Sequence, residues 1–179
     1  MKVAVVTGAS AGIGLAIAER FAKSGWQVAI LARGAGRLDE AKRQLERHGG
    51  GVLAIEADVA DSSAVSAAAD RVIAEFGRID AWVNNAMTTV VAPAHEITPE
   101  EYQQVAASTY LSQVYGTLAA LRQMRRQGKG AIIQVSSGLA IRAAPLQAAY
   151  CAAKAAVGGF TDSLLSLIHI SEPTRPERI

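Results

Sequence analysis

The chain has one cysteine, Cys151, among its 179 residues, and a single thiol excludes an internal disulfide. Neither sign of charge is in large excess, since the formal net charge is +2. No basic cluster suggests a nucleic-acid partner. No apolar run is long enough to cross a bilayer, so we expect no membrane partner. Met1 and Lys2 lead directly into an apolar segment, so we expect no signal peptide. These absences favour a single domain in the reducing cytoplasm.

The beginning of the chain contains a glycine-rich motif. The apolar residues 2–6 precede the run Thr7-Gly8-Ala9-Ser10-Ala11-Gly12-Ile13-Gly14, and an apolar helical pattern follows it. A strand, a glycine-rich turn and a helix start predict the first half of a dinucleotide-binding βαβ unit. Gly8 is expected to permit the turn, Gly12 to let the backbone approach a pyrophosphate, and Gly14 to allow close packing of helix on strand. The first amides of the helix would then receive the phosphates.

Apolar strands alternate with amphipathic helices along the rest of the chain, which predicts a parallel α/β sheet with helices on both faces. Thr98 and Glu101 form a capping box that starts one long helix, in which Val114, Leu118 and Leu121 make an apolar stripe. The predicted strands are 27–31, 52–56, 79–83 and 131–135, and the predicted helices are 37–48, 62–76, one from Thr98 and one from Gln147.

Tyr150 and Lys154 are spaced one helical turn apart, and Ser137 lies just past the predicted strand 131–135. An ammonium near a phenol favours the phenolate, which lets the phenol exchange a proton near neutral pH. Ser137 is placed to hold a substrate oxygen beside the phenol, with Ser136 as the neighbouring alternative. The three residue types therefore predict proton transfer to and from a carbonyl or alcohol oxygen.

Taken together, the glycine run, Asn84-Asn85-Ala86, Ser137 and the Tyr150/Lys154 pair resemble the classical short-chain dehydrogenase/reductase family. The resemblance covers residues 1 to about 164, and the spacing to Tyr150 selects Ser137. It implies a doubly wound, Rossmann-like parallel sheet, a nicotinamide cofactor and hydride transfer between a carbonyl and an alcohol. It also implies a homodimer or tetramer for the full-length protein.

The resemblance implies a role for each matching residue. Ser137 would bind the substrate carbonyl, Tyr150 would act as general acid and base, and Lys154 would support Tyr150 and bind the nicotinamide ribose. Thr109 stands where many relatives have an asparagine that holds a water of the proton relay, and Met87 stands where a glycine is usual. No metal is implied. The implied cofactor-binding residues are Gly8, Ser10, Gly12, Ile13, Gly14, Arg33, Asp58, Val59, Asn84, Ala86, Tyr150 and Lys154.

The end of the second strand bears on the choice between the two nicotinamide cofactors. An acidic residue there would bind the ribose 2′-hydroxyl of NAD(H) and repel a 2′-phosphate. This chain has Ala32 and then Arg33, whose guanidinium pairs with phosphate, and Ser10 could add a hydrogen bond. We therefore favour NADP(H), with NAD(H) as the alternative. Arg33 as a solvated charge at a helix entry is the competing interpretation.

Residues 165–179 depart from the pattern of the rest of the chain. From Leu165 the helical pattern stops, and Pro173 and Pro176 forbid its continuation. The same residues can be encoded, codon for codon, by DNA that resembles a transposase-type sequencing adapter. We therefore expect a dehydrogenase domain over 1–164, truncated so that the sheet is incomplete at its C-terminal edge, and a non-native tail over 165–179. The chain as written would then be inactive; a genuine polar tail is the alternative.

Two other functions remain open at this stage. The first is a nucleotide-binding or regulatory protein without catalysis, which Thr109 and Met87 keep possible. The second is a related Tyr/Lys epimerase or dehydratase. For the substrate, Leu139, Ile141, Pro145 and Leu146 suggest a largely apolar pocket wall, with Arg142 as its one charge. An apolar ketone, aldehyde or secondary alcohol is therefore expected.

Overall fold

The computed structural model describes residues 1–170, with side chains as far as Ser166. Its five strands are all parallel and form one sheet in the order β3-β2-β1-β4-β5. The strands are β1 (Val3–Thr7), β2 (Gln27–Ala32), β3 (Val52–Glu56), β4 (Ala81–Asn84) and β5 (Ala131–Gln134). The α-helices are α1 (Gly12–Lys23), α2 (Ala35–Glu46), α3 (Ser62–Phe76), α4 (Pro99–Val105), α5 (Ser112–Gln127) and α6 (Ala148–Ile170).

The sheet separates two hydrophobic cores, because successive strand side chains point to opposite faces. Val3 and Val5 of β1 pack with buried residues of α3 and α5 on one face. Val6 of β1 packs with buried residues of α1 and α2 on the other. Helices on both faces of a parallel sheet make this the doubly wound, Rossmann-like architecture that the sequence predicted.

The predicted helix boundaries with explicit capping signals are confirmed. The Asp61 side chain accepts hydrogen bonds from the amides of Ser63 and Ala64, which opens α3, and Gly77 ends that helix in the left-handed conformation at φ 77°. Thr98 and Glu101 form both hydrogen bonds of the capping box at the start of α4. These signals predict well because they depend on local chemistry alone.

The long helix that begins at α4 differs from the prediction in two ways. Its hydrogen bonding changes to a π-helical segment over Ala106–Leu111 before α5 begins. In addition, the predicted apolar stripe is not the buried face of α5: Leu118 is 57% exposed, whereas Gly116 and Thr117 are buried. This helix buries small and polar residues because polar side chains of the sheet lie against it.

The end of α6 also differs from the prediction. The helix continues past Leu165 to Ile170, because the residues before Pro173 include no helix breaker. The expected non-native tail thus overlaps α6 over 165–170, and its remaining residues, 171–179, lie outside the described part of the chain.

The C-terminal edge of the sheet is formed by β5, which pairs only with β4 among residues 1–170. Ile133 of this strand is 40% exposed, so the edge strand carries uncovered apolar surface. Within the same part of the chain, no helix combines the length and hydropathy required to cross a membrane.

Candidate active site

A cavity of about 370 Å³ opens at the carboxyl ends of β1, β2, β3 and β4. Strand order reverses between β1 and β4, since β2 and β3 lie to one side of β1 and β4 and β5 to the other. The crevice at such a reversal is where open α/β sheets bind ligands. The predicted residues that line it are Gly8, Ser10, Ile13, Gly14, Arg33, Asp58, Val59 and Ala86.

The glycine loop forms the floor of this cavity. A side chain on Gly14 would place its Cβ 2.3 Å from the Gly8 carbonyl oxygen, so only glycine permits this approach of α1 to β1. Gly8 has a φ of +67°, and a Cβ there would lie 2.8 Å from the Ala86 Cα. Gly12 does not line the cavity; it begins α1 with a φ of +57°. The loop therefore fits a pyrophosphate, which needs open backbone at a helix N-terminus.

Two arginines lie at the β2 end of the cavity. Arg33 was predicted there, and the structure adds Arg37 of α2, which sequence reasoning missed. The signal that could have found it is its position, because Arg37 lies in the first turn of α2, four residues after Arg33. Both side chains are exposed, and neither forms an ion pair with any residue in the described range. Two unneutralised guanidinium groups make this end of the cavity suitable for an anion.

Asp58 and Val59 line the cavity just beyond β3, as predicted. The Asp58 carboxylate accepts a hydrogen bond from the Ala60 amide at 2.9 Å, so it also stabilises its own loop. Asp58 is exposed and Val59 is buried. Asp58 can therefore stabilise its loop and still contact a ligand in the cavity.

The assignment of Asn84 to the cofactor site needs correction, because its side chain does not line the cavity. Asn84 is 1% exposed, and its amide donates to the Gln113 carbonyl, to Thr117 Oγ1 and to Gln134 Oε1. It also accepts a hydrogen bond of 2.8 Å from the Trp82 indole. The physical reason is strand alternation: side chains at 84 and 85 point to opposite faces of the sheet.

Asn85 faces the cavity instead. Its side-chain amide donates to the backbone oxygens of Thr7, at 3.0 Å, and Gly8, at 3.3 Å. The Thr7 hydroxyl in turn accepts from the backbone amides of Asn85 and Ala86. These contacts lock the glycine loop to the end of β4. The sequence showed the Asn-Asn pair but not which of the two side chains faces the cavity.

Lys154 is 1% exposed and donates a hydrogen bond of 2.6 Å from Nζ to the backbone oxygen of Val135. Its Nζ lies 5.8 Å from the centre of the Tyr150 ring, and Tyr150 is 8% exposed. Burial lowers the pKa of Lys154, because the ammonium is removed from water. The structure thus brings the predicted pair together in a buried setting.

Ser137 lies between β5 and a 3₁₀ turn over Gly138–Ala140. Its hydroxyl oxygen accepts a hydrogen bond of 3.1 Å from the Leu139 amide. That contact leaves the hydroxyl hydrogen available for another acceptor. The turn packs directly against α6, the helix that carries Tyr150 and Lys154.

Thr109 lies in the π-helical segment and is completely buried. Its hydroxyl accepts from the Thr88 amide at 2.9 Å and donates to the Thr88 carbonyl at 2.7 Å. Its single hydrogen is therefore already committed to the protein. Thr88 lines the cavity and so does Ser108, which joins the π-helical segment to the cavity wall.

Comparison with known proteins shows the family to which the chain belongs. The family model described as short chain dehydrogenase matches residues 2–170, and the chain belongs to that family. The D-threitol dehydrogenase of Mycolicibacterium smegmatis is 38% identical over 163 residues, which are 91% of this chain and 63% of that protein. The chain spans 46% to 67% of the length of the first curated relatives it matches.

Two solved structures show the same fold. The NAD⁺-bound xylitol dehydrogenase has a TM-score of 0.90 at 30% identity, covering 94% of this chain and 65% of its own. The alcohol dehydrogenase from the archaeon Thermococcus sibiricus, complexed with 5-hydroxy-NADP, has a TM-score of 0.88 at 30% identity, covering 93% of this chain and 71% of its own. This chain is thus similar to one protein bound to NAD⁺ and to another bound to a derivative of NADP.

Proposed function

We propose that this chain carries the cofactor-binding and proton-transfer residues of an NADP(H)-dependent oxidoreductase that interconverts a carbonyl and an alcohol. The observation that carries the proposal is the combination of the glycine-loop cavity with a buried Tyr150/Lys154 pair on a helix packed against that cavity's wall. A bound nicotinamide cofactor would supply or accept the hydride. The residues of the chain would bind, orient and move the proton.

Each catalytic residue has a physical role in the proposal. Ser137 donates its free hydroxyl hydrogen to the substrate oxygen, because its oxygen is already occupied by the Leu139 amide. Tyr150 gives the proton to that oxygen during reduction and removes it during oxidation. Lys154 supports the phenolate by its positive charge, which acts strongly because the pair is shielded from water.

The test of this mechanism is Tyr150→Phe in a full-length protein, with Tyr102→Phe as the matched control on α4. Turnover is followed as NADPH oxidation with a panel of apolar ketones and aldehydes, and NADPH binding is measured by calorimetry. We expect Tyr150→Phe to abolish turnover and to leave cofactor affinity within about threefold, since the phenol does not line the cavity. Full turnover in Tyr150→Phe would refute the assignment. The expectation that this chain is itself inactive is tested by the same assay on the 179-residue chain without substitutions.

The preference for NADP(H) is supported by the uncompensated Arg33 and Arg37. A charge-assisted hydrogen bond contributes about 1.5–3 kcal/mol, which corresponds to about tenfold to a hundredfold in affinity. We therefore expect Arg33→Ala or Arg37→Ala to weaken NADPH binding by that factor and to leave NADH binding nearly unchanged. Arg43→Ala, on an exposed part of α2 that does not line the cavity, is the matched control. Equal losses for NADPH and NADH would contradict the preference.

The site supports an apolar substrate. Exposed apolar side chains occur on the two loops that follow β4 and β5, among them Met87, Val91, Ile141 and Leu146. The loops are joined by a hydrogen bond of 3.0 Å from the Ala92 amide to the Leu146 carbonyl. Activity that rises with the length of a ketone's alkyl chain would support this substrate class, and a preference for charged substrates would refute it.

The exposed Leu118 of α5 supports association of the full-length protein into a homodimer or tetramer. Leu118 is 57% exposed, and Tyr115 and Ala119 lie beside it in a shallow groove between α3 and α5. Sedimentation velocity should show a dimer or tetramer that Leu118→Glu disrupts and Arg126→Glu, at the end of the same helix, does not. A monomeric wild-type protein would overturn this part of the proposal.

The competing function is nucleotide binding without catalysis. The commitment of the Thr109 hydroxyl to Thr88 favours it, because that hydroxyl has no hydrogen left for a proton relay. Tight NADPH binding in a full-length protein, without turnover across the substrate panel, would support this alternative over the enzyme.

A further inference from the structure

Gln113 is a buried polar residue that the proposed mechanism does not use. It lies on α5, in the first turn after the π-helical segment, and is 1% exposed. Its Nε2 donates a hydrogen bond of 3.3 Å to the backbone oxygen of Val135. Its Oε1 is buried and has no hydrogen-bond partner among the described residues. The amide orientation follows from this contact, since a carbonyl oxygen can accept only from the nitrogen end.

Val135 is also the residue that holds Lys154. Its carbonyl oxygen accepts from Lys154 Nζ at 2.6 Å and from Gln113 Nε2 at 3.3 Å. Both donors therefore converge on one oxygen. An ammonium has three hydrogens, and this oxygen takes one of them. Buried donors without acceptors and buried acceptors without donors both cost free energy, and Oε1 of the side chain that shares this oxygen has no donor among the described residues.

Among residues 1–166, no carboxylate pairs with the Lys154 ammonium. Burial is the cause of its lowered pKa, and no carboxylate contributes to it. The elements that pack against α6 are the 3₁₀ turn, the π-helical segment and α4. The 3₁₀ turn has no titratable residue, and the π-helical segment has only Tyr110. The acidic residues of α4, Glu100 and Glu101, lie in its first turn. On α6 itself, Tyr150 lies nearest to the ammonium.

We propose that Gln113 is a positioning residue for Lys154: its amide shares the Val135 carbonyl with the ammonium and so places a neutral polar group, rather than a charged one, beside it. The inference rests on the proposed function of Lys154 and adds a residue to it. A neutral neighbour does not form an ion pair with the ammonium and therefore does not neutralise its charge. The charge of Lys154 then remains available to Tyr150.

The backbone around Gln113 is also fixed. The Gln113 carbonyl accepts from the Asn84 amide at 3.2 Å, and the Val135 amide donates to the Asn84 carbonyl at 3.0 Å. Asn84 thus holds both residues that meet near Lys154. This rigidity is what a positioning residue requires, because its effect depends on a fixed distance.

The test is a pH titration of Lys154 in the chain without cofactor or substrate, monitored by NMR of ¹³Cε-labelled lysine. The Lys154 signal is assigned as the one that disappears in Lys154→Met. Gln113→Glu places a carboxylate beside the ammonium, and we expect the Lys154 midpoint to rise by about one unit or more. The matched control is Gln123→Glu, a buried glutamine on the same helix about 15 Å further along. A midpoint that moves equally in both variants, or in neither, would overturn the proposal.

A second variant covers the case in which Gln113→Glu does not fold. Gln113→Leu keeps a side chain of similar size but puts an apolar group where the polar amide lay, so the Lys154 midpoint should fall further below that of the wild type. An unchanged midpoint would show that Gln113 serves only to fill the core. Because the readout needs no turnover, absence of activity would count against the proposed function and not against the position of Gln113.

Discussion

The Asn84 side chain lies in a buried hydrogen-bond network, whereas the Asn85 side chain faces the cavity, and this difference leads to a testable prediction. Asn84→Ala removes the acceptor of the Trp82 indole and both amide hydrogens that reach Gln113, Thr117 and Gln134. An orphaned buried donor costs about 1–3 kcal/mol, and each lost hydrogen bond costs about 1 kcal/mol more. We therefore expect a destabilisation of about 4 kcal/mol, a large share of the stability of a typical domain.

Urea unfolding followed by far-ultraviolet circular dichroism measures this loss. With a slope of about 2 kcal/mol per molar urea, the midpoint of Asn84→Ala should fall by about 2 M. NADPH affinity of the folded variant should stay within about threefold of wild type, because Asn84 does not line the cavity.

Asn85→Ala is the matched comparison, with the opposite expected pattern. Its side chain holds the backbone oxygens of Thr7 and Gly8 at the cavity floor, so its loss should weaken NADPH binding by about tenfold with a smaller loss of stability. If Asn84→Ala shifts the midpoint by less than about 0.5 M, or weakens NADPH binding more than Asn85→Ala does, the reasoning from the buried network is wrong.

Three further predictions concern stability. Burial lowers the pKa of Lys154, so the charged ammonium penalises the folded state fully below the folded pKa and progressively less as pH rises from there to the unfolded value of about 10.4. We expect Lys154→Met to stabilise the fold by about 0.5–2 kcal/mol at pH 7, and a gain that grows towards pH 10 would contradict the sign. Leu146 has a φ of 65°, and Leu146→Gly should raise the melting temperature by about 2–4 °C, whereas a decrease would show that the leucine side chain outweighs the strain. Thr109→Val leaves the amide and the carbonyl of Thr88 without their hydrogen bonds to Thr109, so we expect a loss of about 2–3 kcal/mol in stability. Hydrogen exchange of the Thr88 amide should become faster, and unchanged exchange would refute the role of this hydrogen bond.

The parts of the fold that the sequence predicted are those encoded locally. The strand over Val52–Glu56 and the helix over Ser62–Phe76 match their predicted bounds, because an apolar run, an Asp61 cap and a terminal Gly77 mark them in sequence. The end of α6 was mispredicted for a related reason. A loss of periodicity suggested a stop at Leu165, but a helix needs a breaker or a cap to end.

The polar residues between α5 and the sheet could not have been found this way. Trp82, Asn84, Gln113, Thr117 and Gln134 are spread over more than fifty positions, and only the parallel pairing of β4 with β5 brings them together. For the same reason the buried face of α5 was not predictable. An apolar stripe normally indicates the core side of a helix. Here the side of α5 that faces the sheet packs against polar side chains of β4 and β5, so it is polar itself.

One feature of β4 connects the two halves of the site. Asn84 and Asn85 are adjacent in sequence, and strand alternation sends their side chains to opposite faces of the sheet. Asn85 fixes the backbone of the glycine loop, whereas Asn84 fixes the Gln113 carbonyl and, through its own backbone oxygen, Val135. The cavity floor and the oxygen that receives Lys154 are thus both anchored at one dipeptide. Because both anchors are hydrogen bonds to backbone atoms, the spacing between the glycine loop and Lys154 depends on β4 rather than on the surface loops that surround the site.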